Sequence, residues 1–139
     1  SSAASDVYKR QVPYPGIIPL LQELRRRGVK MGIVSNKFDE GVKALAAKFF
    51  GGLIDYAQGV SNTVKKKPAP DAVFALIAAQ NAATEPNIYV GDSEVDIETA
   101  QNAGLPCISV SWGFRTRDAL LQHGAQTVID RPEELLEHI

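Results

Sequence analysis

Cysteine is almost missing from this 139-residue chain. Cys107 stands alone, so no internal disulfide can form, and one thiol without a Cys or His cluster makes no zinc site. A reducing, cytoplasmic setting is the expectation. Long apolar runs are missing as well: nothing approaches the roughly 18 residues that a membrane helix needs, nothing at the start reads as a signal peptide, and no membrane partner is expected. An excess of one charge is the third absence. Lys and Arg number 15 against 16 Asp and Glu, a formal net charge of −1, whereas a nucleic-acid surface would show as a strongly basic balance. Internal repeats and low-complexity tracts are also lacking. What is present is globular in character: 45% apolar and 22% charged residues suffice for a packed core, and the length allows one domain.

Residues 1–11 (SSAASDVYKRQ) are small and polar with no usable periodicity, and are expected to be a non-native or disordered leader to a domain over 12–139. Tyr14-Pro15-Gly16 reads as a turn, and Ile17, Leu20, Leu21 and Leu24 recur at helical spacing up to Arg27, with Gly28 closing the helix. Val29 to Val34 reads as a buried strand running into a polar break at Ser35-Asn36-Lys37. Asp39 is placed to cap a helix over Glu40 to Phe50, with Gly51-Gly52 as its end and a strand over Tyr56 to Val60. Pro70 falls in the first turn of a helix continuing over Asp71 to Asn81. A strand over Asn87 to Val90 ends in Gly91-Asp92, and a helix follows to Ala103 and Gly104. Then come a strand at Pro106 to Ser111, a helix at Thr116 to Gln122, a strand at Thr127 to Ile129 and a last helix from Pro132. Strands alternating with helices specify an α/β fold, a Rossmann-like parallel sheet with helices on both faces. Such sheets bind ligands beyond the carboxyl ends of their strands.

Three stretches at those ends carry candidate chemistry. Ser35 and Asn36 offer a hydroxyl and backbone N–H groups that can hold phosphate oxygens, although a polar triplet after a strand is more often a plain turn. Lys65-Lys66-Lys67 would ordinarily be a solvated charge cluster, but Pro68 and Pro70 stiffen the backbone behind Lys67 and let it present a fixed charge to phosphate. Asp92 and Asp96, four apart across a strand end and a first helical turn, can face one cavity and suit Mg²⁺, which takes few carboxylates and keeps water and phosphate as other ligands. The competing reading has Asp92 and Ser93 capping the helix, with Glu94 and Asp96 complementing its dipole. Cys107 is expected in the core; His123 and His138 look like solvated helix-end residues. Trp112 and Arg115 follow a strand end and could border the cavity.

In this order and at these spacings the residues resemble the haloacid dehalogenase superfamily of phosphohydrolases, most closely its bacterial phosphoglycolate phosphatase branch. Ile33-Val34-Ser35-Asn36-Lys37 is similar to the second motif of that family, Lys67-Pro68-Ala69-Pro70-Asp71 to the third, and Tyr89-Val90-Gly91-Asp92 through Asp96 to the fourth. Tyr14-Pro15-Gly16, Ser111-Trp112-Gly113-Phe114-Arg115 and Pro132-Glu133-Glu134-Leu135 also look like that branch. The family's first motif, an apolar strand ending in D-x-D-G-T that carries the nucleophilic aspartate, has no counterpart, because Asp6 is followed by Val7 and Tyr8 with nothing apolar before it. The helical cap that the family places before a residue near Tyr14 has no counterpart either. The expectation is therefore a C-terminal part of a longer enzyme, lacking the central first strand of its sheet and inactive by itself.

For the complete protein the resemblance implies Mg²⁺-dependent hydrolysis of a small phosphorylated metabolite, 2-phosphoglycolate first, through an aspartyl-phosphate. Ser35 and the Asn36 N–H would bind phosphoryl oxygens and Lys67 would neutralise charge. Asp92 would bind Mg²⁺, with Asp96 binding directly, through water, or by orienting Lys67. A pyrophosphatase or sugar phosphomutase of the same superfamily is the near alternative, and a non-catalytic interaction module the distant one. A receiver-type phosphoacceptor uses similar residues, but there the acidic cluster precedes the hydroxyl and lysine, and here Asp92 and Asp96 come last.

Overall fold

The computed structural model describes residues 13–139; the leader expected at 1–11 lies outside them. Helix α1 (Ile17–Arg26) buries Leu20 and Leu24, and Gly28, at φ +78°, turns the chain out of it. Strand β1 (Gly32–Phe38) leads into α2 (Asp39–Phe50), a 3₁₀ turn at Gly51–Leu53 and β2 (Tyr56–Val60). Helix α3 (Asp71–Ala79) precedes β3 (Tyr89–Gly91), α4 (Glu94–Ala103) and β4 (Cys107–Val110). Helix α5 (Arg117–Gln122), β5 (Val128–Ile129) and a 3₁₀ segment at Pro132–His138 complete the chain. Every strand pairing is parallel, as crossover helices require. Among the described residues no helix is long and apolar enough to cross a membrane.

The strands form two ladders, β1-β2 and β3-β4-β5. Among the described residues β1 pairs along one side only, and so does β3, which is the arrangement expected when the family's middle strand is not there. The ladders are joined through packing: Val34 of β1 packs against Val73, Tyr89 and Ala100. Leu76 of α3 lies over Gly32, where any Cβ would collide with its side chain. Helices cover both faces of the larger ladder. Ile108, Val110 and Ile129 meet Leu20 and Leu24 of α1 on one face, while Cys107 and Tyr89 meet Ala100 and Ala103 of α4 on the other.

Three local expectations need correction. The first strand begins three residues later than Val29, because Met31 is taken up by Asp55, whose Oδ2 accepts from the Met31 N–H while its own N–H donates to the Met31 carbonyl. That strand also runs past Val34 to Phe38, so Ser35-Asn36-Lys37 is a bulge rather than a loop. The register jumps from Val34 opposite Gln58 to Phe38 opposite Val60, and three polar residues are left to project outward. Asp39 does not cap α2. It is the first helical residue, and its Oδ1 accepts from Gly59 N–H at 2.9 Å and from Lys43 at 2.6 Å, stitching α2 to β2. The last helix, read from Pro132 onward, is a 3₁₀ segment at Pro132–His138 that buries Pro132 and Leu135.

Candidate active site

Asp96 is the hub. It sits in the first turn of α4, is 2% exposed, and accepts four hydrogen bonds on its two oxygens. Oδ1 takes Lys67 Nζ at 2.8 Å and the Tyr89 hydroxyl at 2.9 Å, and Oδ2 takes the Asp92 N–H at 3.0 Å and the Ser93 hydroxyl at 3.1 Å. Ser93 holds the N-cap position, but its hydroxyl donates to Asp96 instead of capping the helix. The backbone there must pass very close to Asp96: a Cβ on Gly91 would lie 2.7 Å from Asp96 Oδ2 and nearer still to Cβ. Burial by itself would raise the Asp96 carboxyl, yet the Lys67 ammonium and the donated hydrogen bonds outweigh it and hold the group below the ordinary aspartate value. For Tyr89 the same environment works the other way, and burial followed by the Asp96 charge pushes the phenol far up, keeping it a donor.

Lys67 arrives from the loop before α3, whose Lys67–Pro68 bond is cis. Its N–H donates to Asn36 Oδ1 at 2.7 Å, and Asn102 of α4 donates to the Pro68 carbonyl at 2.9 Å, so the loop is tied on both sides. Asn36 thus reaches the site through its side chain. Ser35 occupies the same bulge with its hydroxyl accepting from Lys37 N–H at 3.2 Å.

Asp92, 4% exposed, follows β3 directly. Its Oδ2 accepts from Phe114 N–H at 3.2 Å and its carbonyl from Arg115 N–H at 3.1 Å, both from the loop after β4. Arg115 then reaches across to Glu94, with Nε and Nη2 each 2.9 Å from a carboxylate oxygen. Hydrogen bonds from Arg115 bring the Glu94 carboxyl down to about 2. Asn36, Lys67, Ser93, Glu94, Phe114 and Arg115 line a cleft of about 180 Å³ at the carboxyl ends of β1 and β3.

Of the residues singled out in the sequence, Asn36 and Lys67 share that cleft, Asp96 lies behind Lys67, and Asp92 lies beneath Phe114. Ser35 is on the neighbouring bulge and is not part of the lining. Arg115 lines the cleft; Trp112 instead stacks on Tyr14, with ring centroids 5.4 Å apart. Sequence reasoning missed Tyr89 and the Glu94–Arg115 pair. A buried tyrosine needs a partner for its hydroxyl, which is a usable signal, whereas two residues 21 apart in the chain carry none.

The donor set can be compared with what Mg²⁺ requires. Among the described residues no three His, Cys, Asp or Glu side chains gather where they could hold a metal ion. One buried carboxylate at a strand end nevertheless fits an ion that uses one or two protein carboxylates and fills its shell with water and phosphate. Asp92 fits that description, while both oxygens of Asp96 accept hydrogen bonds from neighbouring donors.

The profile of haloacid dehalogenase-like hydrolases matches residues 2–110. The chain belongs to this family. A phosphoglycolate phosphatase from Rhodobacter capsulatus is 42% identical over 106 residues, covering 73% of this chain and 46% of the relative. The crystal structure of a putative phosphoglycolate phosphatase from Lactobacillus delbrueckii subsp. bulgaricus superimposes with a TM-score of 0.89 at 41% identity, covering 92% of this chain and 54% of that one. The crystal structure of a mutant of CbbY from Rhodobacter sphaeroides in complex with xylulose-(1,5)bisphosphate gives a TM-score of 0.71 at 29% identity, covering 87% of this chain and 55% of that one. The chain therefore spans about half the length of the relatives it matches.

Proposed function

We propose that this chain is the phosphate- and metal-binding half of a Mg²⁺-dependent phosphatase that hydrolyses a small phosphomonoester, with 2-phosphoglycolate the leading substrate. The observation that carries the reading is the buried Lys67–Asp96 pair opening, with Asn36, onto one cleft at the strand ends. The identity to phosphoglycolate phosphatases supports the substrate class.

Each residue has a part in the reaction. Lys67, held by Asp96 and by Asn36, places a fixed positive charge where the phosphoryl oxygens sit. The Asn36 N–H donates to those oxygens from the bulge in β1, where the backbone is released from the ladder, and the Ser35 hydroxyl, beside the cleft rather than lining it, donates to an oxygen that extends toward the bulge. Asp92 holds the metal, and Asp96 contributes by orienting Lys67. When bound, Mg²⁺ neutralises charge between an anionic substrate and an anionic nucleophile. The attacking aspartate would come from a D-x-D-G-T segment, which this sequence does not contain; its oxygen would bond to phosphorus as the ester P–O bond breaks, the segment's second aspartate would protonate the departing alcohol, and water would then cleave the aspartyl-phosphate to free phosphate and the carboxylate. A reducing compartment such as the cytoplasm suits Cys107, whose thiol burial pushes up to about 11 and keeps unreactive.

The deciding experiment uses the full-length protein. Asp92→Asn should keep the fold, because an amide oxygen can still accept from Phe114 N–H, and should abolish Mg²⁺-dependent release of phosphate from 2-phosphoglycolate. Undiminished turnover would remove Asp92 from the metal site. Turnover of sugar phosphates or pyrophosphate in preference to 2-phosphoglycolate would replace the substrate assignment.

A further inference from the structure

The loop after β4 places two main-chain donors on Asp92, Phe114 N–H on the carboxylate and Arg115 N–H on the carbonyl. The Arg115 side chain then folds over the Phe114 ring, 4.4 Å from its centroid, and grips Glu94 with a two-pronged bond. Glu94 lies two residues beyond Asp92 at the start of α4. The loop tip is thereby fastened to the short segment that carries Asp92, from both its backbone and its side chain.

We propose that Arg115 and Glu94 are positioning residues for Asp92: their bond holds loop 113–116 so that Phe114 N–H fixes the Asp92 carboxylate in the orientation that receives Mg²⁺. This rests on the reading of Asp92 as the metal's carboxylate. The guanidinium and Glu94 are 40% and 32% exposed, and a pair so open to water contributes little to global stability. Its effect is local. Partners that orient a metal-binding side chain typically change metal affinity by about 10–100-fold when removed, although they touch neither metal nor substrate.

The test is made on the full-length protein with Arg115→Met, Glu94→Gln and Arg115→Lys. Amide hydrogen exchange is read at Phe114 and, as an internal control, at Ser111, whose N–H donates to the Ile129 carbonyl in the β4-β5 ladder. Mg²⁺ affinity is read by titration calorimetry. Arg115→Met and Glu94→Gln should each speed exchange at Phe114 by about tenfold while Ser111 stays protected. Both should weaken Mg²⁺ binding by about tenfold, with Arg115→Lys intermediate because a single ammonium replaces the two-pronged fork. Unchanged exchange at Phe114, equal acceleration at Ser111, or unchanged Mg²⁺ affinity in Arg115→Met would each overturn the proposal. A wild-type protein that binds no Mg²⁺ but shows the selective exchange pattern would support the clamp and overturn the metal reading alone.

Discussion

Lys67 Nζ lies 2.8 Å from Asp96 Oδ1, with both side chains at 6% exposure or less. A pair so buried is costly to desolvate, and removing one member strands the other. Asp96→Asn should therefore destabilise the protein by about 3–5 kcal/mol, measured by chemical denaturation at neutral pH. The pH dependence has a definite sign. The folded carboxyl lies below its unfolded value, so its contribution is complete above the ordinary aspartate value of about 4 and is lost as pH falls through the folded value. Denaturation midpoints of wild type and Asp96→Asn should converge on acidification; parallel curves would contradict this.

Tyr89→Phe deletes one donor to the same carboxylate while leaving the ring in place. The loss should cost about 1.5–3 kcal/mol, as for a hydrogen bond to a charged group. It should also let the Asp96 carboxyl rise toward the ordinary value, visible as a shift in its ¹³C titration midpoint. An unmoved midpoint would show that the phenol contributes nothing to the charge balance.

Gly91→Ala puts a methyl group against Asp96, whose Oδ2 would be 2.7 Å away, between backbone and a side chain held by four bonds. Neither neighbour can yield cheaply. The substitution should cost about 1–3 kcal/mol or more and displace Lys67 along with Asp96. A thermal midpoint equal to wild type would mean that β3 and α4 separate more easily than their packing indicates.

Val90 of β3 is 44% exposed and Ile88, just ahead of the strand, 39%, beside the side of β3 that faces away from β4. Such an edge recruits other strands. The 139-residue chain should associate with rising concentration, and Val90→Lys should reduce that association in light scattering. Equal scattering from the two proteins would move the sticky surface elsewhere.

The elements were legible where a short apolar run lies between turn residues. Strand β2 occupies the span read from the sequence, Tyr56–Val60, because glycines and a polar loop fence it on both sides. Strand β1 was not, because a ladder can continue through polar residues by bulging, and polarity by itself signals a turn. In the site, Lys67 stood out because rigid prolines follow it, and Asp92 and Asp96 because four residues bring a strand end and a helical turn together. The spacing could not show that Asp96 spends both oxygens on neighbouring donors, since those donors come from Lys67, Tyr89, Ser93 and the Asp92 N–H. Nor could it show Arg115 on Glu94, a bond made only once β3 and β4 lie side by side.

Trp112 is the chain's sole tryptophan, stacked on Tyr14 two residues ahead of Phe114. The protein consequently carries its own optical probe at the root of the segment that touches Asp92. Ultraviolet emission can follow that segment's posture as ions or substrates are added, with no dye or engineered label.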